Sequence, residues 1–407
     1  MSTLDLDFVR RQFPAFQSPS LEGQAFFENA GGSYMCQQVI DRFHDYYHHR
    51  KVQPYGFFKA SIEAGDEMDL AHQRLARYLN VREDEVMYGP STSQNTYVLA
   101  QAFLGRLQEG DQVIVSEQEH EANAGAWRRL ESRGLNVTIW PIDPETGRLD
   151  IRALMGLMTD RVKIVAMTHC SNVVAEIHDV RAVADLVHDA GGILVVDGVS
   201  YCPHGLPDVS ALGADVYLFS LYKTYGPHQG AMVIRENARS LIAPQAHFFN
   251  HENPHKYMVP AGPDHAQVAA SNGIFDYFDA IDAHHGGADD GQRPHRVEAL
   301  FRQAEVNNLK LVLDYLNARN DIRLIGPGDA EIRAPTVAFA PTHYQAEDIA
   351  SKLADQGIMA GAGDFYAVRP LEAMGIKTQE GVVRLSFVHY TRRDEIVKML
   401  NALDSVL

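Results

Sequence analysis

From residue 112 onward the chain repeats one pattern. A short run of aliphatic and β-branched residues is followed by about ten residues of helical period. The strand-like runs cover residues 112–116, 136–141, 163–168, 193–197 and 216–220. Between them, residues 122–132, 151–158 and 180–190 carry apolar side chains at helical spacing. This alternation predicts a mostly parallel sheet with helices on both faces. Ligands in such sheets gather at the carboxyl ends of the strands.

Upstream, residues 4–13, 37–50, 67–79 and 93–107 read as helices and 86–88 as a short strand; the Ser/Thr cluster before 93 suits a helix cap. Downstream, AHHGGADDGQRP at 283–294 is polar and glycine-rich, a loop or a domain hinge. Beyond it come a long helix over 296–318, a strand over 336–339, a helix over 346–356, a strand over 382–387 and a final helix from Arg393. That second texture suits a smaller α+β domain. A chain of 407 residues has room for both, and 45% hydrophobic with 22% charged residues excludes a wholly disordered chain.

Three features at strand ends carry chemistry. GILVVDGVS delivers Asp197 at the tip of an apolar strand, where a carboxylate is costly without a partner; a turn or helix-cap aspartate is the plainer alternative. DVYLFSLYKTYGPHQGAM places Lys223 just past another buried strand. Most lysines are solvated charges, but desolvation here would lower the amine's pKa and make it nucleophilic. GPSTSQNTY sets hydroxyls and unpaired N–H groups at a helix start, either an ordinary cap or an anion cradle. An acid, an amine and a phosphate cradle together suggest pyridoxal phosphate, with the lysine as a Schiff base and the aspartate on the pyridine nitrogen.

The order and spacing of FFENAGGS, THCSNVVAEIHDV, ILVVDG, FSLYKTYGP and VVRLSFVHYTRRDEI resemble the class V aminotransferase family, and within it the cysteine-desulfurase-like proteins. The resemblance implies the aspartate-aminotransferase type of PLP-dependent transferase fold. A large, doubly wound mixed-sheet domain would span 26–284, and a small α+β domain would comprise 1–25 and 285–407. It also implies a homodimer. By position, Lys223 matches the Schiff-base lysine, Asp197 the pyridine-nitrogen partner, and His120 the ring-stacking histidine that can shuttle protons. Ser91, Thr92 and Ser220 match phosphate contacts. Asn172 matches the residue near the ring hydroxyl and substrate carboxylate, and Arg384 the arginine that clamps the α-carboxylate with its planar fork.

Four departures stand out. Where cysteine desulfurases carry a mobile-loop cysteine, this chain reads AGAGDFYAVRPLEAMG, and no cysteine follows Cys202. Ser200 replaces the glutamine at the ring hydroxyl, so we expect it to be a cofactor contact. Tyr222 replaces the histidine before the lysine. Gly262, in PAGPDH, falls near the place where relatives bring a threonine to the neighbouring subunit's phosphate. Asp364, Phe365 and Tyr366 lie where the family has its substrate loop.

The implied reaction is carried by an external aldimine and a Cα carbanion of a small L-amino acid. Without the persulfide cysteine, the leading expectation is C–S β-elimination. Transamination is the runner-up and epimerisation third; a carrier without turnover conflicts with retention of the Lys, Asp, His and Arg positions. A formal charge of −17 argues against a general nucleic-acid binder. No metal is expected: His247, His251 and His255 recur every four residues, but Pro254 interrupts any helix there. His44 and His48 read as solvated. Cys36, Cys170 and Cys202 form no C-x-x-C pair; the latter two read as small buried hydrophobes, with Cys202 able to face the cavity. The charged amino-terminal stretch has no apolar core of a secretory signal, and no run of 18 apolar residues occurs. No membrane association is expected, and the cytoplasm is the expected location.

Overall fold

The computed structural model describes residues 3–288 and 290–407; Met1 and Ser2 of the amino-terminal stretch and Asp289 of the expected 283–294 loop lie outside the described residues. The alternating region forms a seven-stranded sheet. Its strands are β1 (Val86–Gly89), β2 (Gln112–Ser116), β3 (Asn136–Trp140), β4 (Val162–Thr168), β5 (Ile193–Asp197), β6 (Val216–Ser220) and β7 (Gly230–Ile234), in the order β1-β7-β6-β5-β4-β2-β3. The pairs from β6 across to β3 are parallel, and β7 runs antiparallel to both neighbours.

The strands are apolar throughout because both faces are buried. Along β5, Leu194 and Val196 join one core and Ile193 and Val195 the other, the two-residue alternation of a strand. The first core takes Val180, Val183 and Val187 from the helix Val180–Asp189 and Ala71 and Leu75 from Lys59–Tyr78. The second takes Leu99 and Phe103 from Thr92–Leu104 and Trp127 from Glu121–Arg128. Gly230, at the start of β7, lets that strand pass under the first turn of Thr92–Leu104. A Cβ there would lie 2.5 Å from the Thr92 nitrogen and the Ser91 carbonyl carbon.

The carboxyl-terminal part holds a four-stranded antiparallel sheet, β8 (Ile322–Leu324), β9 (Thr336–Pro341), β10 (Gly361–Gly363) and β11 (Val382–Ser386), in the order β10-β11-β9-β8. Val383 and Leu385 of β11 join a core with Leu309, Val312, Ile396 and Leu403. Arg384, between them, therefore leaves the opposite face.

Several expected bounds shift. The helix expected over 37–50 is α-helical over Gln37–Asp45 and ends in a wider π-type turn, Tyr46–Arg50. The expected hinge is partly helical: Asn272–His284 runs into it, and the long helix Arg293–Asn317 starts inside it. Pro294 fits in that helix's first turn, where its missing N–H costs no hydrogen bond. His247, His251 and His255 share no helix; the one helical piece of the segment is the short turn Phe248–Asn250. Among the described residues no three His, Cys, Asp or Glu side chains gather as a metal site. No helix of the described residues is long and apolar enough to cross a membrane.

Candidate active site

The carboxyl ends of β4, β5 and β6 lie side by side and deliver Thr168, Asp197 and Ser220; Thr168 and Asp197 are register partners. Lys223 follows β6 by one short turn, Leu221–Lys223. These residues line one cavity together with Thr92, Ser93, His120, Asn172, Ser200 and Tyr222.

Each polar group has a definable state. Lys223 is buried, and burial, followed by the charge of Arg384, brings its amine down to about 8; Asp197 and Glu28 oppose that shift. Burial also raises Asp197, whose Oδ1 accepts from the Val199 N–H at 2.9 Å. His120 caps the helix Glu121–Arg128: the Ala122 N–H donates to its Nδ1 at 3.0 Å. Burial and the nearby Lys223 and Arg384 charges lower it to about 4, so the ring is neutral at pH 7 with its proton on Nε2. Behind it, Glu119 is buried and raised to about 8, first by burial and then by the Asp197 charge. Glu119 accepts from Ser116 Oγ and from Asn123 Nδ2. Glu119 thus keeps its proton at pH 7, while Lys223 and the Val199 N–H work against the upward shift of Asp197.

At the helix start, Thr92 Oγ1 and Ser220 Oγ lie 2.7 Å apart. Ser91 is not on the cavity wall; its hydroxyl accepts from the Gln94 N–H at 3.1 Å as the helix cap. The free N–H groups of the first turn and the hydroxyls of Thr92, Ser93 and Ser220 are what an anion would meet. Asn172 donates through Nδ2 to the Phe365 carbonyl at 2.8 Å, and its Oδ1 is buried without a partner. The set fits pyridoxal phosphate: a hydroxyl-rich helix end, a buried carboxylate at a strand tip, a desolvated amine and an orphaned amide oxygen all line one cavity.

Arg384 lies one layer further out. Its Nη1 reaches the Asn172 carbonyl at 3.4 Å, its Nη2 donates to Glu28, and the Phe365 ring lies 3.7 Å from Cζ. The 361–369 segment is tied down: the Glu121 N–H donates to the Tyr366 carbonyl at 2.8 Å, and Arg369 pairs with Glu121 at 3.1 Å. Gly262 faces a separate cleft with Asn95 and Gln229. Of the cysteines, Cys170 lines the cavity and Cys202 packs against the Tyr217 hydroxyl. Burial pushes Cys170 up to about 12 and Cys202 well above the usual thiol range, so neither is a thiolate.

Glu28, Glu119, Thr168 and Ser93 join the constellation without a role assigned from sequence. Glu28 lies within FFENAGGS and Glu119 directly precedes His120. Motif membership was the available signal, with nothing in it to specify a partner.

The family model described as "Aminotransferase class-V" matches residues 25–249 and 299–399. An aminotransferase-like protein of Gibberella zeae is 32% identical over 100% of this chain and 99% of its own length. A cysteine desulfurase of Serratia proteamaculans is 28% identical over 98% of both chains. The solved cysteine desulfurase of Thermococcus onnurineus superposes with a TM-score of 0.87 at 21% identity, covering 100% of this chain and 98% of that one, a likeness of fold. The family match and the end-to-end relatives meet on a fold whose cavity suits the cofactor: the chain belongs to the class V aminotransferase family and is a pyridoxal-phosphate-dependent enzyme.

Proposed function

We propose that this enzyme cleaves a C–S bond in a small L-amino acid by β-elimination, without a cysteine nucleophile. When bound, pyridoxal phosphate supplies an aldehyde for the substrate amine and a ring that accepts the electron pair left at Cα. Lys223 Nζ is the residue for the aldehyde carbon, as a Schiff base, and for the Cα proton. With its pKa near 8, roughly a tenth of such amines are neutral at pH 7, enough to act as a base. Asp197 would hold a protonated ring nitrogen, and the neutral His120 imidazole would be the side chain available to the ring. Thr92, Ser220 and the first-turn N–H groups take the phosphate, with Ser91 shaping that turn. Asn172 Oδ1 and Ser200 would hold the ring hydroxyl, and Arg384 would take the substrate α-carboxylate.

The observation that carries elimination over desulfuration is the tethered Asp364–Phe365–Tyr366 segment. The family's loop position holds no cysteine, its backbone is bonded to Asn172 and Glu121, and the thiol on the cavity wall stays protonated. A sulfur leaving group would depart directly as a thiol or sulfide. Transamination is the second reading, favoured by the name of the Gibberella zeae relative. Lys223 would then serve as proton donor as well as base.

We take 26–284 as the cofactor-bearing domain and 1–25 with 285–407 as the domain that brings Arg384. Exposed Phe57, Phe58, Phe248 and Phe249 support a homodimer, since a second copy would cover that apolar surface. Three unpaired cysteines suit a reducing cytoplasm.

The test incubates holoenzyme with L-amino acids, including cysteine and its S-conjugates, and follows products by mass spectrometry. Pyruvate, ammonia and a thiol with unchanged cofactor are expected. Accumulation of pyridoxamine phosphate and a matching 2-oxo acid would replace elimination with transamination.

A further inference from the structure

Arg384 already has an anion beside it. Its guanidinium is 3% exposed and paired with Glu28, whose side chain is 29% exposed. Two glycines make room for that carboxylate. A Cβ on Gly31 would lie 2.7 Å from Glu28 Oε1, and one on Gly361 would lie 2.7 Å from Oε2 and 2.8 Å from the Phe365 ring. Three polar atoms of the cluster are buried without partners: Glu28 Oε2, Arg384 Nε and Asn172 Oδ1. The pair is neutral as it stands. A substrate carboxylate added beside it would place two anions on one desolvated guanidinium, and close like charges are costly there. Arg384 is enclosed and Glu28 has a solvent side, so Glu28 is the group with somewhere to go.

We infer that Glu28 is a specificity-determining residue: its carboxylate occupies Arg384 in the substrate-free enzyme, and an amino acid binds by displacing it. This rests on the reading of Arg384 as the arginine for the α-carboxylate. Only a ligand with a free carboxylate makes the exchange worthwhile, so esters, amides and simple amines gain nothing from Arg384. The resident carboxylate also sets a ceiling on substrate affinity.

The experiment titrates the visible cofactor band of holoenzyme with L-alanine, which lacks a leaving group, and with ethylamine, which lacks a carboxylate. Glu28→Gln keeps the size and removes the charge. It is expected to tighten L-alanine binding about tenfold or more while leaving ethylamine unchanged. Unchanged or weaker L-alanine binding overturns the inference, because Glu28 then only holds the guanidinium in place. An equal gain for ethylamine overturns it too, since the effect would not pass through a carboxylate. Arg384→Gln tests the premise separately: L-alanine is expected to weaken about a hundredfold, with ethylamine unchanged. If Arg384→Gln leaves L-alanine binding intact, the carboxylate reading itself falls, whatever Glu28→Gln does. A normal ethylamine titration in each variant certifies that its site is folded.

Discussion

The floor of the cavity and the segment roofing it are built differently. Asp197, Ser220 and Thr168 end strands whose register is set by a buried sheet, and Thr92 opens a helix packed on that sheet. The 361–369 roof has a two-residue stretch of left-handed backbone, Phe365 at φ 52° and Tyr366 at φ 58°. Its hold on the floor is made by the Phe365 and Tyr366 carbonyls and by the Arg369–Glu121 ion pair. Where a roof is attached through its backbone, as at Tyr366, its side chains can change with little disturbance of the floor. Under the proposed elimination, the steps up to loss of the Cα proton would belong to the floor, and the departing group would meet the roof. Breaking the floor should therefore abolish chemistry, whereas roof changes should alter selectivity and stability modestly.

Lys223→Ala is the largest expected break. Turnover should fall at least about a thousandfold, because the proposed covalent anchor and the proposed base would both be lost. Borohydride treatment should leave cofactor mass on the wild-type chain and none on the variant. An unchanged mass and rate would remove Lys223 from the mechanism. In the wild type, the rate under saturating substrate should rise with pH through about 8, since the amine is a base only when neutral. Asp197→Asn should be smaller, a loss of about a hundredfold in kcat with cofactor still bound, because an amide holds the ring without its countercharge. Steady-state rates beside the cofactor absorbance separate those two effects.

Glu119→Gln sharpens the comparison from beneath the floor. Glu119 is raised to about 8 from an ordinary 4.5. Between those values the folded chain holds a proton that the unfolded chain has released. Wild-type stability should therefore fall as pH rises from about 5 toward 8, and the glutamine, which cannot ionise, should be spared that loss. Thermal unfolding of cofactor-free protein is expected to give similar midpoints at pH 5 and a variant higher by about 4 °C at pH 8. Parallel curves would mean that Glu119 is ionised in the fold.

Much of the floor was legible in the sequence, because strands buried on both faces are apolar runs that stop at their first polar residue. The bounds at Asp197 and Ser220 follow from that. Gly230–Ile234 is just as apolar, yet it follows the lysine turn without an intervening helix, so the alternation does not announce it. Strands of two or three residues, such as Gly361–Gly363, carry no period at all. Within the site, motifs pointed to Lys223, Asp197 and His120, but not to which serine hydroxyl is taken by a helix cap. The Glu28–Arg384 pair joins residues 356 apart in the chain, and no local pattern encodes such a meeting. Cys170 rather than Cys202 lines the cavity for the same reason: the choice is made by packing around Tyr217.

The smallest expected effect lies in the roof. Tyr366 is 70% exposed and holds a left-handed conformation that a bulky L-residue adopts at a cost of about 1–2 kcal/mol, and asparagine tolerates that region better. Its contacts are mainly through the backbone: the carbonyl accepts from the Glu121 N–H, and the amide donates to Asp364 Oδ1 at 2.8 Å. The side chain adds a tilted ring contact to His120, at 5.3 Å between centroids. Tyr366→Asn keeps the backbone bonds, relieves part of the strain and gives up that ring contact. The balance should be a stability change within about 1 kcal/mol, toward stabilisation, by thermal unfolding. The kcat for a good substrate should stay within about threefold. A larger loss of kcat would show that the roof reaches the chemistry through the His120–Tyr366 contact, and the division between a reacting floor and a selecting roof would fail at that residue.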